Sequence, residues 1–199
     1  MDVIPEKLSH IFVKFGEGDE KAFSFFYKYF INDLYAYGRS LGAEEKYVMD
    51  AVQDVFLKVF FEKPHFKSVE HFKYFLFKSL KNRLYDFFKS KSFSETADIG
   101  RDVLNFSIKT TVLDEIIEDQ DRTIIQQKIE KLLSVLSPLQ KEAVYLRYIQ
   151  DLDYAEISEM MGKTEVSIRK LVSEGISKIR KENKVLPLIV FIGLLYRGF

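Results

Sequence analysis

Apolar and aromatic residues recur every three or four positions along most of the chain, which is the spacing of amphipathic helices. A first helix is predicted to end near Gly16, and Asp19 to cap a second one with apolar positions from Phe23 to Tyr37. Gly38 and Gly42 are predicted to mark the end of this second helix. The pattern predicts an all-α fold, which the small number of prolines, four in the chain, also favours.

The next helix is predicted from about residue 43 to residue 61, and its two sides differ in character. One side is apolar and is expected to be buried, with Val48, Val52, Val55 and Val59. The opposite side is polar and carries Asp50, Gln53, Asp54 and Lys58.

After a short loop, Ser68 is expected to cap a long helix that ends near Ser90. Its predicted buried stripe consists of Phe72, Phe75, Leu76, Leu80, Leu84 and Phe87. Its solvent side alternates basic and aromatic residues, with Lys73, Tyr74, Phe77, Lys78, Lys81, Asn82, Tyr85 and Lys89. An exposed ring beside a lysine is a suitable stacking partner for a nucleic-acid base, although each ring could instead pack on a neighbouring helix.

The helical periodicity fails between residues 92 and 121, where acidic residues predominate. We interpret this stretch as an acidic linker, with one helical turn near Leu113–Ile117. It joins a small helical domain at residues 1–91 to a second small helical domain at residues 122–184, and an apolar tail occupies residues 185–199. The second domain is predicted to contain a helix over Ile124–Leu136 and another that starts at Ser137-Pro138 and extends through Tyr148.

A helix-turn-helix is predicted between Tyr154 and about Arg180. The motif needs a small residue where its helices nearly touch, a glycine in the turn and a β-branched residue on the second helix. Ser158, Gly162 and Ile168 stand at these positions. Gly162 is expected to supply the positive φ that ends the first helix, and Thr164 to cap the second. A purely structural pair of helices has the same local pattern, so the motif alone leaves both interpretations open.

The second helix of such a motif lies in the major groove of DNA. Arg169 is the best candidate to read a base, because its guanidinium can donate two hydrogen bonds to guanine. Lysines and arginines near it are expected to contact phosphates and to set register and salt dependence. The predicted DNA contacts of this domain are Lys163, Thr164, Ser167, Arg169, Lys170, Ser173 and Lys178. Those expected near phosphates are Lys163 and Lys178, together with Arg180 and Lys181.

Composition narrows the classes of function. The 199 residues include 30 basic and 30 acidic ones, so contact with DNA must depend on local separation of charge. Cysteine is absent and the three histidines are scattered, so we expect no enzyme, no catalytic residues, no metal and no cofactor. The N-terminus has no signal-peptide pattern, and the apolar run Leu186–Tyr196 is shorter than the roughly 20 residues that cross a bilayer. The prediction is a cytoplasmic protein without membrane insertion.

Four segments resemble conserved parts of bacterial sigma factors. Residues 50–60 (DAVQDVFLKVF) and 75–89 (FLFKSLKNRLYDFFK) resemble region 2, and residues 136–148 (LSPLQKEAVYLRY) and 154–162 (YAEISEMMG) resemble region 4. The chain is therefore similar to the sigma-70 family of RNA polymerase subunits. Its two helical domains with a single linker are similar to the extracytoplasmic-function group of that family.

The resemblance implies an alternative sigma factor that directs RNA polymerase core to promoters and begins DNA opening. Asp50, Gln53, Asp54 and Lys58 would contact the clamp helices of the largest polymerase subunit, and the polymerase flap would be a second contact. The minus-ten element would be bound and melted by His65, Lys67, Tyr74, Lys78, Lys81, Asn82, Arg83 and Asp86. The helix-turn-helix would read the minus-thirty-five element in promoter DNA. The acidic linker would follow the RNA exit path, and an anti-sigma factor would be a further partner.

The sequence departs from the family pattern at three positions. Phe60 stands near the place where the family usually has tryptophan, and Glu174-Gly175 stand where an Arg-Ala pair is common. A carboxylate near phosphates is unfavourable, and a glycine inside a helix costs up to about 1 kcal/mol.

Two other functions remain compatible with the residues. A helix-turn-helix regulator that binds duplex DNA without polymerase would not need the polar helix side at residues 50–58. A helical adaptor that binds only protein would not depend on Arg169. The apolar tail would either fold back on a helical domain or form part of a surface that the polymerase or an anti-sigma factor covers.

Overall fold

The computed structural model describes residues 6–92, 106–107 and 133–182, and the chain divides into two compact units. Apart from residues 40–42, the first unit holds α1 (Glu6–Gly16), α2 (Glu20–Ser40), α3 (Glu45–Glu62) and α4 (Val69–Ser92). The second holds α5 (Pro138–Val144), a π-helical turn (Tyr145–Ile149), α6 (Tyr154–Met161) and α7 (Glu165–Glu182). Every regular element in these ranges is helical, which confirms the predicted all-α fold.

Phenylalanine rings form much of the core of the first unit. Phe26, Phe30 and Phe72 are buried almost completely. Phe15 from α1 and Phe66 from the loop before α4 each pack against Phe72, with ring centroids 4.8 Å apart. Aromatic contacts of this kind add roughly 0.5–1.5 kcal/mol each to the burial of the rings. Phe72 therefore holds α4 against α1 and α2.

α3 packs into this unit through the side that the sequence predicts. Its four valines, Val48, Val52, Val55 and Val59, are all buried, and the opposite polar side is exposed. The predicted two-sided character of the helix is confirmed.

Gly38 has a different role from the one that the sequence suggests. α2 continues past it to Ser40, so the prediction that Gly38 ends the helix is wrong. A Cβ on Gly38 would come within 2.6 Å of Cγ1 of Val48, a separation that real Cβ atoms do not adopt. The glycine is needed because α2 and α3 approach each other closely there. Gly42, with φ +90°, lies in the turn that follows.

Side-chain caps begin the helices where short polar residues predict them. The Asp19 carboxylate accepts a hydrogen bond from the backbone N–H of Ala22 at 2.8 Å, and Ser68 Oγ accepts one from His71 at 3.2 Å. Ser137 caps α5 in a reciprocal arrangement with Gln140. Each such cap contributes on the order of 1 kcal/mol, and the predicted starts of these helices are confirmed.

The helix that begins at Pro138 does not continue regularly to Tyr148 as predicted. Regular α-helix ends at Val144, and the next five residues, Tyr145–Ile149, form a wider π-helical turn. Asp151 follows with φ +47°, which is unusual for a residue with a side chain. A π turn inserts one residue into the helical repeat, and periodicity in the sequence does not reveal it.

α5 and α7 are packed closely at Gly175. A Cβ on this residue would lie 3.1 Å from Cγ2 of Val144, tighter than nearly all real Cβ contacts. The departure from the family pattern at Gly175 therefore lies at a close contact between α5 and α7, where a Cβ would need Val144 to shift by a few tenths of an ångström.

The two described residues of the predicted linker, 106 and 107, belong to the second unit. Phe106 is buried, and its ring centroid lies 5.5 Å from that of Tyr145. The linker is thus attached at this point by an apolar side chain, which its acidic composition does not suggest. The predicted helical turn at Leu113–Ile117, most of the predicted helix Ile124–Leu136 and the tail 185–199 lie outside the described residues.

Candidate polymerase and promoter DNA interfaces

The outer side of α3 combines charged and apolar residues. Asp50, Gln53, Asp54 and Lys58 are all exposed, as predicted for the polar side of this helix. Leu57 and Phe61 continue the same side and are 52% and 74% exposed. Leu57 and Phe61 are not among the predicted polar contacts, although neither belongs to the buried valine stripe. Together the six residues define the α3 docking face.

Asp54 on this face pairs with Arg83 of α4. Arg83 Nε donates to Asp54 Oδ2 at 2.8 Å, and the second nitrogen of the guanidinium lies 2.6 Å from the same oxygen. The pair connects a residue predicted to contact polymerase with one predicted to contact DNA. It also places Arg83 toward α3, away from the stripe that Tyr74, Lys78, Lys81 and Tyr85 form at steps of three and four residues.

The exposed basic and aromatic side of α4 contains fewer rings than predicted. Phe77 is completely buried, with its ring centroid 5.3 Å from that of Tyr37, so the prediction that Phe77 faces solvent is wrong. The remaining Tyr74, Lys78, Lys81 and Tyr85 are half-buried, and Asn82 and Asp86 are exposed. Lys78 Nζ lies 5.4 Å from the centroid of the Tyr74 ring. We name Tyr74, Lys78, Lys81 and Tyr85 the α4 stripe.

An open cleft of about 530 Å³ lies beside the loop between α3 and α4. His65 and Lys67, both predicted to contact the minus-ten element, line it. Its aromatic walls come from Phe12, Phe15, Phe23, Phe60 and Phe66. The loop starts at Lys63, whose left-handed backbone (φ 44°) ends α3, and the N–H of Lys67 donates to Nδ1 of His71 at 3.3 Å. The cleft thus offers flat apolar surfaces, two lysines and a histidine in one concavity, which Asp19 and Glu20 also line.

In the second unit, α6 and α7 have the geometry of a helix-turn-helix. Gly162 ends α6 with φ +63°, and the N–H of Lys163 donates to the carbonyl of Ser158. Thr164 Oγ1 accepts a hydrogen bond from the N–H of Ser167 at 3.2 Å, which caps α7. Ile157, Met161, Ile168 and Val172 are buried between the helices. The predicted motif, including its glycine turn and its cap, is confirmed.

The exposed residues at the start of α7 contact one another. Arg169 donates to the Glu165 carboxylate at 3.3 Å, and its guanidinium carbon lies 4.2 Å from the centroid of the Tyr154 ring. The guanidinium of Arg147 lies 5.3 Å from the same ring. Tyr154 therefore contacts two arginines, one of which is Arg169, the predicted base reader.

A second polar network runs along α7 beside these residues and reaches α5. Lys178 Nζ donates to Oε1 of Gln140 at 2.9 Å, and the amide of Gln140 donates to Glu174 at 3.3 Å. Lys170 Nζ is 3.9 Å from the Glu174 carboxylate. Two of the predicted DNA contacts, Lys170 and Lys178, thus lie in a network centred on Gln140 and Glu174. Ser173 is exposed, and Lys163 is half-buried.

In the described ranges, few ionisable groups have a pKa that is shifted from its ordinary value. The pKa of Tyr35 is raised by desolvation, and the nearby Glu45 carboxylate raises it further. Within those same ranges no cluster of three or more histidine or acidic side chains is arranged for a metal ion. None of the helices there has an apolar stretch long enough to cross a lipid bilayer.

Comparison with known families assigns both units. The model of sigma-70 region 2 matches residues 26–93, and the model of sigma-70 region 4 matches residues 126–179, together more than half of the chain. The chain belongs to the sigma-70 family. Region 2 precedes region 4 with only residues 94–125 between the two matches, which is the arrangement of the extracytoplasmic-function group. This sigma factor is an alternative subunit that directs RNA polymerase to promoters, as the resemblance implied.

A solved structure has the same fold. It is a co-crystal of the sigma factor RpoE with the anti-sigma factor NepR from Bartonella quintana. The match has a TM-score of 0.54 and 23% sequence identity, and it covers 81% of this chain and 98% of the other. No curated protein matches the sequence.

Proposed function

We propose that this sigma factor uses three surfaces in promoter recognition. The α3 docking face holds polymerase core on its clamp helices, the α4 stripe and the neighbouring cleft bind and open the minus-ten element, and α7 reads the minus-thirty-five element. The observation that carries the proposal is the α3 docking face, because neither a simple DNA-binding regulator nor a structural helix pair needs it.

The apolar residues of that face support polymerase binding. Leu57 and Phe61 are largely exposed and lie in line with Asp50 and Asp54, so a mixed apolar and acidic stripe extends along α3. An exposed apolar patch with a polar rim is typical of a protein contact site. Burial of Phe61 and Leu57 on the core would supply affinity, and the carboxylates would supply orientation.

Co-purification with polymerase core tests this surface. Phe61→Ser and Leu57→Ser are expected to lower the amount of sigma factor retained by tagged core by at least tenfold. Tyr29→Ser is the matched control, since Tyr29 on α2 is also 52% exposed and belongs to none of the three surfaces. Retention of Phe61→Ser and Leu57→Ser at the wild-type level would contradict the assignment.

The cleft beside the α3–α4 loop supports a role in opening the minus-ten element. A flipped base leaves the stack at a cost of a few kcal/mol, and an enclosing pocket with aromatic surfaces can offset that cost. The cleft has such surfaces beside His65 and Lys67, and the α4 stripe adds tyrosines and lysines for the displaced strand. Asn82 and Asp86 would contact the same element from the exposed side of α4, and Arg83 would do so only after it leaves Asp54.

Fluorescence of 2-aminopurine placed along the minus-ten element measures opening directly. His65→Ala and Lys67→Ala holoenzymes are expected to give a smaller fluorescence rise than wild type at equal promoter occupancy. Lys28→Ala, an exposed change on α2, serves as the control. A full rise in both cleft variants would contradict the role of the cleft.

The orientation of α7 supports the proposed contacts with the minus-thirty-five element. Arg169 and Lys170 lie in its exposed first turns, followed by Ser173, while Thr164 places the N-terminal amides where a phosphate can bind. Because the network of Gln140 and Glu174 holds Lys178, we infer that Lys178 contributes charge rather than a direct base contact.

The remaining partners and the location follow from the family. We propose contact with the polymerase flap, passage of the acidic linker near the RNA exit path and a cytoplasmic, non-catalytic role. Because RpoE was crystallised with NepR, we also propose that an anti-sigma factor binds this chain. Competition by such a protein for polymerase core would test the last point.

A further inference from the structure

The first turn of α7 carries an exposed valine that the predicted DNA contacts do not include. Val166 is 77% exposed, more than any other large hydrophobic residue in the described ranges. A single exposed apolar residue is common on protein surfaces, so exposure alone does not assign a role. The position of Val166 is what distinguishes it.

Val166 lies between residues whose side chains make contacts within α7 and its cap. Ser167 shares a 2.9 Å hydrogen bond with Thr164, and Glu165 accepts from Arg169. Val166 has no polar group to join this network, and a β-branched residue is slightly unfavourable in a helix. It therefore adds little to the stability of the turn.

Helical spacing places Val166 beside the residues proposed to read DNA. Arg169 and Lys170 follow it by three and four positions, so the three side chains share one side of α7. The N-terminal residues of a recognition helix face the base edges in the major groove. The apolar feature of that groove is the C5-methyl group of thymine. A β-branched side chain presents its methyl groups in a restricted set of rotamers, which suits a fixed contact.

We propose that Val166 packs against the C5-methyl group of one thymine in the minus-thirty-five element, next to the base that Arg169 reads. This inference rests on the proposed docking of α7 in the major groove. Val166 is then a specificity residue, because it distinguishes thymine from bases without a methyl group at that position. Burying one methyl group corresponds to an affinity change of about fourfold.

Replacement of thymine by uracil tests the contact, since it removes only the methyl group. Holoenzyme assembled from the full chain and polymerase core first selects minus-thirty-five sequences from a randomised promoter. Each thymine of the selected element is then changed singly to uracil, and affinity is measured for wild type, Val166→Ala and Ser177→Ala. We expect one uracil to weaken binding about fourfold for wild type and Ser177→Ala, and to have no effect for Val166→Ala.

The outcomes separate this inference from the proposed docking of α7. If Arg169→Ala weakens binding but no uracil does, or if the selected element lacks thymine, the role of Val166 is overturned and the docking stands. If the uracil effect persists in Val166→Ala, another side chain contacts the methyl group and the inference is also wrong. If Arg169→Ala binds the selected promoter like wild type, the docking itself is overturned.

Discussion

The guanidinium of Arg83 on α4 lies 2.6 Å from the carboxylate of Asp54 on α3. This ion pair is the direct link between the face proposed for polymerase and the helix proposed for the minus-ten element. The two side chains are 59% and 45% exposed, so water and salt screen their attraction. The ion pair therefore contributes little to the stability of the fold, and both groups remain accessible to partners.

A double-mutant cycle on this pair tests that interpretation. Asp54→Asn, Arg83→Gln and the double variant are expected to give a coupling energy of roughly 0.2–1 kcal/mol in urea unfolding. Asp54→Asn should also weaken core binding, because it removes a charge from the docking face. A coupling energy above about 2 kcal/mol would instead make the pair a structural element of the first unit.

Three glycine-to-alanine variants are expected to change the free energy of unfolding in different directions. Gly38→Ala is expected to destabilise by about 1–3 kcal/mol, because its Cβ would meet Val48 at 2.6 Å. Gly175→Ala should be nearly neutral, since the 3.1 Å approach to Val144 offsets the helix propensity of alanine. In Gly16→Ala the new Cβ would lie in open space, so this variant should stabilise the protein by up to about 1 kcal/mol. Thermal unfolding followed by circular dichroism gives the order, and a stabilising Gly38→Ala would contradict the close approach of α2 and α3.

Tyr154 is expected to position Arg169 for base reading. The arginine lies 4.2 Å from the ring centroid, a geometry worth about 0.5–1 kcal/mol at an exposed site. Tyr154→Leu should therefore lower affinity for the selected promoter by about two- to fivefold, with most of the loss at the base that Arg169 reads, whereas Tyr154→Phe should keep wild-type affinity. Equal losses on promoters with and without that base would assign Tyr154 to folding alone.

The carboxylate of Glu174 is expected to weaken DNA binding by competing for Lys170. Glu174→Gln removes that competition at 3.9 Å, so duplex affinity should rise several-fold at low salt. The slope of log affinity against log salt should become steeper by up to about one unit, as one more phosphate contact forms. Glu159→Gln on α6 is the control. An unchanged slope would show that Lys170 already contacts DNA in the presence of Glu174.

Local patterns predicted the helices, their caps and the buried side of α3, because these features depend on residues close together in the chain. They did not predict the burial of Phe77, which depends on Tyr37 of another helix. The roles of Gly38 and Gly175 depend in the same way on Val48 and Val144, which lie in the helices that those glycines contact. Family resemblance supplied the function, while the roles of single residues in DNA and polymerase binding stay predictions.

The cleft shares its walls with the core of the first unit. Phe15, Phe23 and Phe66 line it, and Phe15 and Phe66 also support Phe72 at the centre of the aromatic cluster. A mutation that reshapes the cleft will therefore also shift the melting temperature of that unit, whereas Val166 can be exchanged on the surface at little cost. Engineers who wish to retarget this sigma factor should find the upstream promoter element far easier to change than the melted one.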